Sequence, residues 1–269
     1  GLTSTTAYEY RLTDGEISVA TGEFTTAAEI ALQNGSLDGW DGSSPNAATD
    51  SKFWDTSNEG AKMGGLTPTQ AVTDFVHTQG GKAAKLESGK VDLMGGIFAA
   101  ASLYTGSFGS TNIWTQTATV NFGQSFTARP IALKGFYKYT PNVINLVKNV
   151  PAGVTIVKDQ TLDQCAIYIA LAKKTYTIDN GNQSTFIDFK NDENIIAYGE
   201  LPSGAATEGD GYVEFNIPLK YKNLTDQPTH IIVVCSSSKY GDYMTGGAGS
   251  TLYVDDLSLI YDGTPTIWE

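Results

Sequence analysis

The sequence reads as an all-β protein, a sandwich or a barrel, on three observations. Short apolar segments alternate with a period of two, as in residues 114–122 and 131–139. Turn residues punctuate them at Pro141-Asn142, Asn180-Gly181, Pro202-Ser203-Gly204 and Glu208-Gly209-Asp210-Gly211. Long amphipathic helical patterns are missing, which disfavours alternating strand–helix folds. At 269 residues the chain has room for one large β domain or two ordinary ones.

Residues 1–35 open with a hairpin signal. Tyr8-Glu9-Tyr10-Arg11-Leu12 and Glu16-Ile17-Ser18-Val19-Ala20 flank Asp14-Gly15, a pair suited to a tight turn. Thr26 and Glu29 precede Ile30 and Leu32 at the spacing of a capping box, so a short helix is expected there. These residues form an N-terminal extension, and residues 36–269 form the main domain. Residues 36–49 are rich in Gly, Ser, Asn, Asp and Pro, which is loop composition. Between Thr67 and Val76 a short helix and a strand fit equally well. From Lys82 onwards the pattern is β. Ala84 with Leu86, and Val91 with Leu93, make short alternations. In residues 114–122, Trp114, Ala118, Val120 and Phe122 share one face. In residues 131–139, Ile131, Leu133, Tyr137 and Tyr139 lie opposite Lys134, Phe136 and Lys138. Residues 164–171 are apolar on both parities, which marks a central strand covered on both sides. Residues 186–189, 213–217 and 231–235 supply further short strands. In the last strand Leu252 and Val254 are even, whereas Leu257, Leu259 and Tyr261 are odd. A β-bulge at Asp255-Asp256 would bring both sets to one face.

Composition excludes several functions. The formal net charge is −12, which argues against nucleic acid and anionic membranes, since phosphate binding needs a Lys/Arg footprint. Only 17% of residues are charged, a low share that suits an exported β protein. No apolar run is long enough for a transmembrane helix. Gly1 reads as an expression remnant, so an export or lipid-anchor signal is expected ahead of it. Cys165 and Cys235 sit in apolar runs and read as buried thiols. His77 and His230 are far apart and have no neighbouring ligand cluster, so neither a His-based triad nor a zinc site is expected. No nucleophile-elbow, metalloprotease or P-loop motif is present.

Two carbohydrate chemistries are candidates that the residue types allow. Glycoside hydrolysis needs two carboxylates across a cleft. Glu200 and Asp242 are the first two to test, because Glu200 ends a strand and Asp242 sits in a Gly-rich loop. Sugar binding needs aromatic faces and fixed polar groups. Trp54, Tyr137, Tyr139 and Tyr240 stand close in sequence to Asn58, Lys134, Lys138 and Asp242. Core packing is the competing role for each of these aromatics. Asp255 and Asp256 have three readings: caps of a bulge, a structural Ca²⁺ site, or catalytic acids.

Several segments also carry a family resemblance. They are Phe53-Trp54 with Thr56-Ser57-Asn58; Gly81 with Ala83-Ala84 and Leu86; Phe122-Gly123 with Phe126 and Arg129-Pro130; Leu133-Lys134-Gly135-Phe136-Tyr137-Lys138-Tyr139; and Gly199-Glu200. The strongest runs from Ser236-Ser237-Ser238-Lys239-Tyr240-Gly241-Asp242 to Gly249-Ser250-Thr251-Leu252-Tyr253-Val254-Asp255-Asp256. In these the chain resembles the putative carbohydrate metabolism domain of Bacteroides-type gut bacteria. The resemblance implies a jelly-roll β-sandwich akin to some sugar-cleaving enzymes and to carbohydrate-binding modules of the galactose-binding-like and lectin/glucanase-like kinds. It implies a periplasmic or lipid-anchored surface protein. Met244 departs from the aromatic expected in that loop. The leading expectation is a glycan-binding module of a polysaccharide-utilisation system that meets polysaccharide or oligosaccharide and partner proteins. Trp54, Asn58, Lys134, Tyr137, Tyr139, Tyr240 and Asp242 would line or support its site. The alternatives are a glycoside hydrolase or lyase using Glu200 and Asp242, and an adhesive surface module without a sugar site. No cofactor is required, with structural Ca²⁺ at Asp255 and Asp256 the one option.

Overall fold

The computed structural model describes residues 2, 5–92, 96–112 and 114–268. Its strands are, in chain order, β1 (Ala7–Asp14), β2 (Ile17–Thr25), β3 (Trp54–Thr56), β4 (Thr69–Val72), β5 (Ala83–Glu87), β6 (Gly89–Val91), β7 (Ile97–Ala99), β8 (Ser102–Asn112), β9 (Thr117–Phe122), β10 (Gln124–Ser125), β11 (Ala132–Thr140), β12 (Ala166–Ala172), β13 (Tyr176–Asp179), β14 (Ile195–Glu200), β15 (Val213–Pro218), β16 (Lys220–Tyr221), β17 (His230–Ser236), β18 (Thr251–Ile260) and β19 (Thr266–Ile267). One helical turn, α1 (Asn58–Ala61), follows β3. The fold is a jelly-roll β-sandwich. Its larger sheet has the order β13-β9-β8-β17-β12-β14-β16-β19, with β3 on β8 and β10 on β17. The smaller sheet has the order β15-β11-β18-β5-β4. β1–β2 and β6–β7 form separate ribbons.

Period-two alternation places the core. Ile167, Ile169 and Leu171 of β12 and Ile231, Val233 and Cys235 of β17 face the smaller sheet. They meet Leu86, Leu133, Tyr139, Ile217, Leu252 and Val254 there. The intervening Tyr168, Ala170, Ala172, Ile232 and Val234 turn to the outer face, under Tyr104, Phe122, Tyr176, Ile178 and Phe189. Both parities of β12 are therefore covered, as its apolar run requires. Each fully buried Ile or Leu contributes roughly 1.5–3 kcal/mol, so β12 and β17 anchor the molecule. Both cysteines are buried and unbonded. Burial pushes the Cys165 thiol up to about 12, which removes it from nucleophilic chemistry.

Two local devices shape the sheets. β8 changes partner at Gly106: Thr105 pairs with Trp54 of β3, whereas Gly106 pairs with Phe122 of β9. Gly106 has φ +150°, and a Cβ there would collide with the Asn121 carbonyl oxygen. Gly106→Ala is expected to destabilise the fold by about 3 kcal/mol through strain and lost β8–β9 pairing; a thermal melt matching the parent protein would refute this close approach. The second device is the bulge in β18. Lys134 pairs with Ser258 but Phe136 pairs with Asp255, so Asp256 and Leu257 oppose Gly135 alone. Asp256 takes φ +49°. Leu257 thereby joins Leu252 and Val254 in the core, as the parity change in the sequence demands. The Leu257 N–H freed by the bulge donates to the Gly35 carbonyl at 2.7 Å. That bond brings the preceding segment against the sandwich, with Leu32 and Leu37 in the core.

Other segments differ from expectation. The hairpin forms as β1–β2, but residues 26–32 are not helical. The Thr26 hydroxyl, the supposed cap, instead closes the hairpin stem: it accepts from Thr6 N at 2.9 Å and donates to Thr6 O at 3.2 Å. In the undecided stretch after Thr67, residues 69–72 form strand β4, and residues 73–76 are neither strand nor helix. Residues 186–189 are not a strand. They follow a 3₁₀ turn, Gln183–Thr185, whose Ser184 N–H donates to the Asn182 side chain. Phe186, Ile187 and Phe189 then plug the outer face. Trp114 lies in the turn before β9 rather than in the strand. Leu93 lies outside the described residues. No helix among the described residues is long and apolar enough to cross a membrane.

Candidate functional site

The β8–β9 arm stands away from the outer face of the larger sheet and leaves a cleft of about 190 Å³. The β6–β7 ribbon, the turn at residues 57–64 and the loop after β17 complete its walls. Ala61, Val91, Phe98, Phe108, Val120 and Val234 make the lining largely apolar. Tyr168 adds aromatic surface, whereas Tyr104, 1% exposed, lies buried behind the lining. Val120 and Phe122 reach it because the even residues of β9 share one face.

Polar groups converge on this lining. The side chains of Gln116, Tyr168, Lys239 and Asp242 border the cleft, and none makes a hydrogen bond or ion pair with the described protein. Every buried side-chain N or O among the described residues has a partner. These four groups are therefore solvated through the cleft and free to meet a ligand. Asp242 is the one carboxylate among the described lining residues. Protein surrounds it although its side chain stays open to the cleft's water. That setting pushes its carboxyl up to about 6, because burial disfavours the charged form. Tyr168 is held far above the usual phenol range, first by burial and then by the Asp242 charge.

A buried hydroxyl network fixes the loop that carries Asp242. Asp163 is 1% exposed. Its Oδ2 accepts from Ser238 Oγ at 2.6 Å, Gly247 N at 2.7 Å and Ser250 Oγ at 3.0 Å. Ser88 Oγ lies 2.7 Å from Ser237 Oγ and 2.9 Å from Ser238 Oγ, tying β5–β6 to the same loop. Within it, residues Gly241–Tyr243 form a 3₁₀ turn that ends at Met244 in the left-handed region, φ +56°. Met244 Sδ accepts from the Asn180 side chain at 3.1 Å, so both walls of the cleft are joined at that point.

The putative carbohydrate metabolism domain family matches residues 29–260. The chain belongs to this family. The domain is also similar to a solved structure from Bacteroides thetaiotaomicron described as a putative glycoside hydrolase. Identity is 22% over 96% of this chain and 80% of that one, with a TM-score of 0.65. A second structure, from Bacteroides vulgatus and described in the same way, is 25% identical over 80% of this chain and 88% of its own, with a TM-score of 0.58. No curated protein matches the sequence.

Of the site residues expected from sequence, Asp242 alone lines the cleft of this carbohydrate metabolism domain. Trp54 is 0% exposed and its indole N–H donates to Gln33 O at 2.7 Å, so it offers no face to a sugar. Asn58 is buried and holds both backbone groups of Thr69. Tyr139 is buried, with its hydroxyl donating to Ser237 O at 2.9 Å. Tyr137 packs edge-on against Phe215 at the core's margin. Lys134 lies on the far sheet, paired with Glu214 at 2.9 Å. Tyr240 is half-buried beside the loop and does not line the cleft. Glu200 does not line it either. It pairs across β12–β14 with Tyr168 and accepts from the Tyr198 hydroxyl at 3.0 Å. Asp255 caps the bulge, its Oδ1 accepting from Asp256 N at 2.8 Å, and both carboxylates hold residues 77–78 against it. Asp255 Oδ2 accepts from His77 N at 2.7 Å, and Asp256 Oδ2 accepts from the Thr78 hydroxyl and lies 2.6 Å from His77 Nδ1. No group of three His, Cys, Asp or Glu suited to a metal assembles among the described residues.

The cleft residues that sequence reasoning missed are Gln116, Tyr168 and Lys239, with Tyr104 and Asp163 behind them. Tyr168 had a signal: it is the single hydroxyl in the apolar run Cys165-Ala166-Ile167-Tyr168-Ile169-Ala170-Leu171. Gln116 had none, because its place depends on where the β8–β9 turn falls.

Proposed function

We propose that this domain binds a carbohydrate in the outer-face cleft and does not cleave it. The observation that carries this reading is the convergence of the Gln116, Tyr168, Lys239 and Asp242 side chains, none with a hydrogen-bond or ion-pair partner among the described residues, on an otherwise apolar lining. A pyranose presents the matching surfaces, with a C–H face for the Tyr168 ring and hydroxyls for the carboxylate and amide. The single carboxylate among the described lining residues favours binding over hydrolysis, which needs two. At about 190 Å³, the cleft is smaller than the roughly 300–1,000 Å³ typical of drug-sized sites and suits one sugar ring. An adhesive module without a sugar site would need neither the cleft nor its free polar groups. The carbohydrate metabolism family supports a glycan as the ligand, and the low charge fits its capture outside the cytoplasm, within a polysaccharide-utilisation system. A glycan array followed by calorimetry tests the reading. Retention of a saccharide by the parent protein and its loss in Asp242→Ala, without released sugar, is the expected result. Failure to retain any glycan would remove it.

A second reading rests on the carboxyl of Asp242 lying near 6, the range of a general acid. Glu200, one strand beyond Tyr168, would be its partner. Release of reducing sugar, lost in both Asp242→Asn and Glu200→Gln, would favour hydrolysis.

A further inference from the structure

Trp114 is 83% exposed, the most open of the large apolar side chains among the described residues. A free tryptophan face costs solubility and is uncommon on a soluble surface. Its backbone has a fixed place. The Asn112 side chain accepts from Trp114 N at 3.0 Å and from Thr115 N at 3.3 Å. The register Asn112↔Thr117 then closes the arm behind it. Asn112 and Gln116 both line the cleft, and each is two residues from Trp114, a span of at most about 7 Å. The Trp114 backbone therefore stands at the rim of the cleft, within reach of a chain leaving it and outside the lining itself.

We infer that Trp114 is a second sugar subsite, stacking on the ring next to the one held in the cleft, so that the ligand class is the end of an oligosaccharide rather than a free monosaccharide. This rests on the cleft reading above. The cleft has room for one ring, and a chain continuing from it passes the rim. An indole face is a strong partner for the C–H face of a pyranose. Its exposure is the open state of such a subsite. Trp54 is buried and Trp40 and Trp268 are partly covered, so fluorescence changes on binding at the rim report mainly on Trp114.

Fluorescence and calorimetric titrations of the full chain test this with methyl glucoside, methyl galactoside and methyl mannoside against cellobiose, β-1,4-galactobiose and β-1,4-mannobiose. For the sugar type that binds, the disaccharide should bind about fivefold tighter than the methyl glycoside and shift the emission to the blue. Trp114→Ala should lose both the shift and the fivefold advantage while binding the methyl glycoside within twofold of the parent protein. Trp114→Phe should keep part of the advantage. Equal affinity for both sugar lengths, or an unchanged disaccharide affinity in Trp114→Ala, overturns the subsite and leaves the cleft reading standing. No binding of any of the six sugars, by parent or variant, overturns the cleft reading and the subsite with it.

Discussion

Asp163→Ala is expected to lower the melting temperature by roughly 10 °C and to abolish sugar binding in the same protein. The carboxylate never touches the cleft, so the second effect is indirect. Its removal leaves the Ser238 and Ser250 hydroxyls and the Gly247 N–H without their shared acceptor in a buried site. Unsatisfied buried donors cost about 1–3 kcal/mol each. Partial relaxation leaves a total of roughly 3–5 kcal/mol, since the effects within one network do not add. The three donors belong to the loop following β17, and Asp242 lies between Ser238 and Gly247 in it. Loosening both ends releases the turn that points Asp242 into the cleft. Ser250→Ala removes one donor and is expected to cost about 1 kcal/mol while retaining binding. Thermal melts with calorimetry check both variants. Full affinity in a folded Asp163→Ala protein would show that the network serves stability alone.

The sandwich was legible because it follows from local pattern. Two-sided burial of β12 follows from apolar residues on both parities, and the β18 bulge follows from the switch between Val254 and Leu257. Both depend on neighbours in sequence. The cleft depends on which edge of the sheet stays open and on the partner switch at Gly106, and neither leaves a periodic trace. Aromatic residues misled for the same reason. Trp54 and Tyr139 resemble ligand platforms in composition, yet each spends its polar atom on a backbone carbonyl inside the core. The place of Asp242 in the lining was legible because a carboxylate next to a glycine in a polar loop has no core role. Glu200 was equally plausible by that standard, and only the sheet order separates it from the lining.

Asp242→Asn is expected to raise the melting temperature and to weaken sugar binding roughly 10- to 100-fold, the worth of a charge-assisted hydrogen bond. The stability gain follows from linkage. The folded-state carboxyl is raised from 3.8 to about 6, so between those values the folded protein holds a proton that the unfolded chain has released. Stability therefore falls as pH rises through that window, and the deficit is complete above about 6. Because Asp242 stays open to the cleft's water, solvent screening reduces the deficit to about 1 kcal/mol. That corresponds to roughly 2–4 °C, recovered by an amide that never ionises. The pH profile of the parent protein separates the two functional readings. If the ionised carboxylate accepts sugar hydroxyls, affinity weakens as pH drops below about 6, and the Asn variant is flat across the same range. If the protonated carboxyl acts as a general acid, turnover instead falls as pH rises above about 6. Calorimetry and reducing-sugar release at pH values on both sides of that point give opposite slopes for the two cases. An affinity that is independent of pH in the parent protein would remove Asp242 from the ligand contact altogether.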